Sequence, residues 1–184
     1  MRIRHIIFLL SVVFISGCTL PGTQSEWSSE EWVTLYSGSG FEMNLPQWWV
    51  TETTKSLPTP KKWTLLLTAA SPDVRYGFSN NIIIMRDALE TPMTSKKYSE
   101  MNQIQTTRNY LEYTKISDES ILFSDDDEWR VYIFEARYNT TTSRQKFIQT
   151  AKVCGTDVYM IHAAIALDKN TDNYVSLFKS FACE

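Results

Sequence analysis

The chain has 184 residues, three cysteines and a formal charge of −3, with 43% hydrophobic and 13% aromatic residues. That composition excludes a disordered or collagenous chain and is sufficient for one packed core. A mild acidic excess without basic blocks argues against a nucleic-acid partner, because phosphate neutralisation needs clustered Lys and Arg.

Residues 1–5 are cationic and residues 6–15 are apolar apart from Ser11. About ten apolar residues make a helix of roughly 15 Å, half of the ~30 Å hydrocarbon core, so the layout fits a secretory signal rather than a span. It ends on Ile15, Ser16, Gly17, Cys18, which resembles a bacterial lipobox: an aliphatic residue, two small ones, then an obligatory cysteine. The resemblance implies a diacylglycerol on the Cys18 sulfur, cleavage before Cys18 and acylation of the new amine. Two or three acyl chains hold a protein on a bilayer where one holds only marginally. An ordinary cleaved signal with Cys18 as a chance cysteine is the plainer alternative. Cleavage takes 17 residues from 184 and leaves 167; it removes Arg2 and Arg4, so the charge passes from −3 to −5. His162 is then the only histidine, too few for a multi-histidine metal site. Thr19 stands where an aspartate is associated with inner-membrane retention, which favours the outer membrane in a Gram-negative host.

Residues 18–31 carry turn formers without a sustained period and read as a tether. The folded domain is expected over residues 32–184. Residues 32–37 and 41–45 read as strands around a glycine-rich turn, and 49–53 resumes extended structure. Two prolines make 57–60 a loop. Strands follow at 63–69 and 81–86, the latter apolar on both faces at Ile82, Ile83, Ile84 and Met85 and so expected to be covered on both. A helix is expected at 95–112, capped by Thr94 or Ser95, with Tyr98, Met101, Ile104 and Leu111 as a thin apolar stripe. Extended segments at 120–123, 129–138, 145–154 and 157–167 lead to a terminal helix at 171–181. Its Tyr174, Leu177, Phe178 and Phe181 form one face.

This order predicts an α+β fold, an antiparallel sheet flanked by helices in a single domain. Phe41, Pro46 and Trp49 resemble the opening strand of the PsbP-like families. Val158, Tyr159, Met160 and Ile161, then Tyr174, Phe178, Ser180 and Phe181, resemble their closing strand and final helix. The resemblance spans residues 40–181 and, with the lipobox, points to small bacterial lipoproteins of the DcrB type. It implies a non-enzymatic, membrane-tethered accessory domain of the cell envelope with an envelope protein as partner, and no cofactor.

His162 in an apolar strand reads as a core histidine satisfied by a backbone carbonyl; a dyad with Ser or Cys is the sharper alternative. There is no Gly-x-Ser-x-Gly elbow, and Gly38, Ser39 and Gly40 fit a turn better than a phosphate cradle. Asp125, Asp126, Asp127 and Glu128 lack calcium-loop spacing and read as solvated hairpin residues. Asn139, Thr140 and Thr141 form a sequon that reads as turn chemistry. Trp48 and Trp49 are adjacent, so in a strand they point to opposite faces, leaving one as a candidate interaction surface. Cys154 and Cys183 are an even pair in an exported protein and therefore a candidate disulfide. The second functional expectation is a small-ligand or metal-ion carrier that uses a cleft between sheet and helix.

Overall fold

The computed structural model describes residues 32–53, 63–123 and 125–184. Cys18, the leader, the tether and the loop at 57–60 lie outside them. Strands β1 (Val33–Gly38), β2 (Phe41–Pro46), β3 (Val50–Glu52), β4 (Thr64–Arg75) and β5 (Phe78–Ala88) precede helix α1 (Ser95–Asn109). Then come β6 (Leu111–Leu122), β7 (Glu128–Arg137), β8 (Gln145–Cys154), β9 (Asp157–Ile165), helix α2 (Asp172–Lys179) and β10 (Ala182–Cys183). These strands form two sheets, one ordered β1-β2-β10 and one ordered β3-β4-β5-β9-β8-β7-β6. Every pairing is antiparallel, as expected. The second, smaller sheet was not expected. No helix among the described residues is long and apolar enough to cross a membrane.

Alternation along the strands sorts side chains between two faces of the large sheet. Ile82 and Ile84 of β5, Ile161 and Ala163 of β9, Ile148 of β8 and Trp129 of β7 point inward. They meet Phe41, Met43 and Leu45 of β2 and Tyr174, Leu177 and Phe178 of α2 in one core. The small sheet and α2 thus form a single layer over the inner face. Helix α1 lies on the outer face, over β7 and β8, so the helices flank the sheet unequally.

Tight turns fix the register of three hairpins. Ser39 and Gly40 both have positive φ, 61° and 85°, the geometry of a type I′ hairpin turn. A Cβ on Gly40 would stand 2.7 Å from the Tyr159 hydroxyl, which reaches over to the Gly40 carbonyl at 3.3 Å. Tyr76 and Gly77 repeat the pattern between β4 and β5, and Gly155 opens the turn between β8 and β9. Strands β4 and β5 run well beyond their sequence-predicted ends because the unheralded turn at Tyr76 joins them directly.

Helix α1 departs furthest from expectation. Thr94 caps it by accepting from the Lys97 amide at 3.2 Å, but it stops at Asn109, and Leu111 and Glu112 belong to β6. Of the predicted stripe only Tyr98 is buried; Met101, Ile104 and Leu111 are exposed. Ser95, Ser99, Gln103 and Thr106 face the sheet instead. The reason lies in the sheet. Strands β7 and β8 pair from Ala136↔Gln145 to Tyr132↔Gln149 and no further, which leaves β8 amides without a strand partner there. The Ser99 hydroxyl accepts from the Ala151 amide at 3.1 Å and the Ser95 hydroxyl from the Val153 amide at 2.9 Å. Further along, the Thr106 hydroxyl and the Gln149 carboxamide bond each other at 3.0–3.1 Å. A polar helix face is what this split in the ladder requires, since buried backbone donors must be satisfied.

Candidate functional site

Because α1 sits over β7 and β8, the outer faces of β5 and β9 are left without a helix. A cleft of about 720 Å³ occupies that space. Its floor is set by cross-strand register: Ile83 lies opposite His162 and Met85 opposite Met160, with Phe147, Gln149 and Ala164 beside them. Asn102, Thr106, Asn109 and Tyr110 form the helix-side wall. Trp63, Phe78 and Tyr138 stand at the rim. Two minor cores close its ends, one around Tyr98, Val158 and Met160 and one around Phe134, Phe147 and Ala164. The expectation that β5 is covered on both faces fails here. Its outer residues Ile83 and Met85 are half-buried and line the cleft.

His162 is not a core histidine. It is half-buried on the outer face, its ring parallel to that of Tyr110 at 6.2 Å and edge-on to Phe147 at 5.4 Å. Its Nε2 faces the Tyr110 hydroxyl at 3.4 Å rather than a backbone carbonyl. Burial among these rings lowers the imidazole to about 4, so it is neutral near pH 7. Burial, helped by the nearby Tyr138, pushes the Tyr110 phenol up, so it keeps its proton. A neutral imidazole beside a protonated phenol offers a ligand hydrogen bonds without charge. No Asp, Glu, Lys or Arg lines the cleft among the described residues.

The acidic run does lie in the β6–β7 hairpin with Asp125, Asp126 and Glu128 exposed, but it is also tied down by ion pairs. Lys152, 2% exposed at its side chain, donates to Asp125 Oδ2 at 2.7 Å and to Asp127 Oδ2 at 3.0 Å. Its Nζ lies 4.5 Å from the centroid of the Phe123 ring. The Ser95 hydroxyl also bonds Asp127, and Lys96 pairs with Glu128 at 2.7 Å. Burial pushes the Asp125 carboxyl up, but the Lys152 hydrogen bond and charge outweigh it and hold it below the usual carboxylate range. The run therefore clamps the β6–β7 loop to β8 and to the start of α1. No group of three or more His, Cys, Asp and Glu placed to hold a metal ion occurs among the described residues.

Trp48 and Trp49 separate as anticipated but by a different route. They lie in the turn before β3 rather than in a strand. Trp49 is 7% exposed and packs against Tyr174, whereas Trp48 is 42% exposed and edge-on to Trp32 at 5.4 Å. Asn139 shows turn chemistry, its Oδ1 accepting from the Thr141 and Thr142 amides at 2.9 and 3.0 Å. The Cys154 and Cys183 sulfurs are at bonding distance, with Cα atoms 5.8 Å apart. Helix α2 is too short to return the length of β9 on its own. The return is completed by β10, which pairs with β2 at Phe41 and so brings Cys183 to the β8–β9 turn.

A cleft between sheet and helix is among the expectations from sequence, but its position and lining residues are not. The signal was present in the two-faced apolar run of β5, continued by Met160, His162 and Ala164 at alternate positions of β9. It was hidden because a covered sheet face and a cleft floor carry the same pattern.

No protein-family model and no curated protein matches the sequence. Solved structures do resemble it. The cyanobacterial PsbP (CyanoP) of Synechocystis sp. PCC 6803 aligns with 83% of this chain and 92% of its own, at a TM-score of 0.57 and 12% identity. Looser similarity extends to PA94 of Pseudomonas aeruginosa, which shares 10% identity at a TM-score of 0.46 over 80% of this chain and 91% of its own. The Saccharomyces cerevisiae Ran-binding protein Mog1p shares 10% identity at 0.44, over 80% of this chain and 84% of its own. The CyanoP match shows that the chain has a PsbP-like fold.

Proposed function

We propose that this protein is a lipid-anchored, non-enzymatic binding domain of the bacterial cell envelope, with the cleft beside α1 as its binding site. The observation that supports the binding role most directly is the cleft: about 720 Å³ of space with an apolar floor, a few carboxamides and, among the described residues, no Asp, Glu, Lys or Arg in its lining. Sites that hold small molecules have this size and composition. The anchor rests on Ile15, Ser16, Gly17 and Cys18, and Thr19 favours the outer membrane if the host is Gram-negative. The 13 residues between Cys18 and the domain, 19–31, allow a separation of about 20 Å, so the domain works close to the bilayer. An envelope protein that shares or delivers the bound molecule is the partner this placement favours.

Two experiments test the parts separately. Cys18→Ser should yield an unprocessed or soluble species; a fully processed protein still fractionating with membranes would remove the anchor. A photo-crosslinking phenylalanine at Tyr138, on the exposed cleft rim, should give an adduct in intact cells, whereas one at exposed Ile116 of β6 should not. Equal labelling at the two positions, or none at either, would contradict the assignment of the site.

A further inference from the structure

We infer that the cleft selects a neutral, ring-bearing small molecule and rejects anions of the same shape. The inference rests on the reading of the cleft as a binding site and adds the chemistry of its ligand. Three observations carry it.

The first is the absence of formal charge. Among the described residues no Asp, Glu, Lys or Arg lines the cleft, and moving an unpaired ionised group from water into such a site is expensive. His162 cannot serve as a ready counter-ion, since its ring stands among Tyr110 and Phe147 with Nε2 directed at a phenol. The second is the distribution of aromatic rings. Trp63, Phe78, Tyr110 and Tyr138 all line the cleft, Trp63 set edge-on to Tyr98 of α1 and Tyr138 edge-on to Tyr110, so a flat ring entering it has several rings to pack against. Aromatic pairs of this kind add attraction beyond the area they bury. The third is the polar complement. Asn81, Asn102, Asn109, Gln145 and Gln149 are all neutral carboxamides, each able to donate and to accept. They suit carbonyl, hydroxyl or amide substituents on an otherwise apolar body. A straight acyl chain would use the apolar floor but offer no hydrogen bond to Asn109 or Gln145, the other three being held already by Thr106, the Ser79 carbonyl and the Met160 sulfur.

The test compares two dyes that share one skeleton. N-phenylnaphthylamine is neutral, and anilinonaphthalene sulfonate carries the same rings with an added anion. The processed full chain is reconstituted in bilayer nanodiscs, and nanodiscs carrying Ala164→Trp serve as the partition blank. Ala164 is in the cleft floor, so the indole should stand where a bound ring would lie and obstruct it. Saturable binding of the neutral dye above the blank is expected, at one site per chain. The sulfonate should bind at least tenfold more weakly. Asn102→Lys adds a cation to the wall and should narrow that ratio at least fivefold, a gain that misfolding cannot produce. Equal affinity for the two dyes, no saturable neutral binding, or an unchanged ratio in the lysine variant would overturn the inference. So would full neutral binding by an Ala164→Trp variant that keeps its melting temperature. If the dyes fail while the Tyr138 adduct still forms in cells, the ligand class is wrong and the site stands. If both fail, the cleft is not a binding site.

Discussion

Lys152 gives a sharp test of how the acidic loop is held. Its side chain is 2% exposed, whereas Asp125 and Asp127 are 54% and 31% exposed. The two sides of the ion pair therefore respond differently to loss of the partner. Replacing Lys152 by Met removes the buried charge and keeps an unbranched apolar stem in the space beside Phe123. The carboxylates then turn to solvent, which they already reach. We expect a change within about 1 kcal/mol, since buried pairs replaced by well-packed apolar groups are often neutral. The Asp125→Asn, Asp127→Asn double variant does the reverse. It leaves an ammonium enclosed with only amide and hydroxyl oxygens, and stranding a buried charge costs about 3–5 kcal/mol. For a chain of this size each kcal/mol moves the melting temperature by roughly 2–4 °C, so the double variant should melt about 6–20 °C lower. Calorimetry or thermal circular dichroism at pH 7 reads both. If Lys152→Met destabilises as much as the double variant, the pair is a net source of stability and the desolvation reasoning is refuted. The triple variant combining all three changes should return close to the Lys152→Met value, because the stranded charge is gone.

Further expectations follow from other residues. His162 has its folded value lowered to about 4, so between about pH 6.5 and 4 the unfolded chain takes a proton that the fold refuses. Stability should fall as pH drops through that window, by up to about 3 kcal/mol, and level off below it. His162→Asn should remove this slope in denaturant titrations at pH 7 and pH 4.5; an unchanged slope would show that the ring is not held neutral. Gly40→Ala places a methyl 2.7 Å from the Tyr159 hydroxyl at a φ of 85° and should cost about 1–3 kcal/mol. Tyr159→Phe should recover part of that loss, and a fully additive double variant would disprove the clash. The Cys154 to Cys183 bridge closes a loop of about 30 residues and should contribute roughly 3–4 kcal/mol on the chain-entropy model. Mass spectrometry after alkylation of the non-reduced exported protein checks the bond, and two modified thiols would rule it out.

How much could be read from the residues depended on which force placed them. Strands that alternate around a buried face, such as 129–138 and 145–154, were legible because one face meets the core and registers slip only at high cost. The terminal helix was legible for the same reason, its Tyr174, Leu177 and Phe178 all facing the core. Strand β6 was mostly missed. It is an edge strand with few buried residues, so its sequence of Glu, Lys, Ser and Asp carries no period, and its bulge at Glu112, with φ at 53°, breaks the register again. Helix α1 was found but turned the wrong way. Apolar spacing assigns a helix face by assuming that it buries against an apolar surface, and the surface beneath α1 includes unpaired β8 amides. Gln149 and Thr106 satisfy each other across 43 residues of sequence, a pairing that no local pattern announces.

That misreading bears directly on the site. An amphipathic helix free to maximise apolar burial would slide over the outer faces of β5 and β9, where Ile83 and Met85 are only half-buried. Its own stripe of Met101 and Ile104 would go with it. Helix α1 instead remains over β7 and β8, pinned by directional bonds. Ser95 and Ser99 bind the β8 amides, Thr106 binds Gln149, and Gln103 donates to the Tyr113 hydroxyl at 2.6 Å. Moving it by one strand, about 5 Å, would break all of these at once. Each buried group left unsatisfied costs about 1–3 kcal/mol, and that sum opposes the apolar area to be gained. The split between β7 and β8 is therefore what keeps the cleft open. A chain with a continuous β7–β8 ladder and apolar residues at Ser95, Ser99 and Thr106 would close over its own floor.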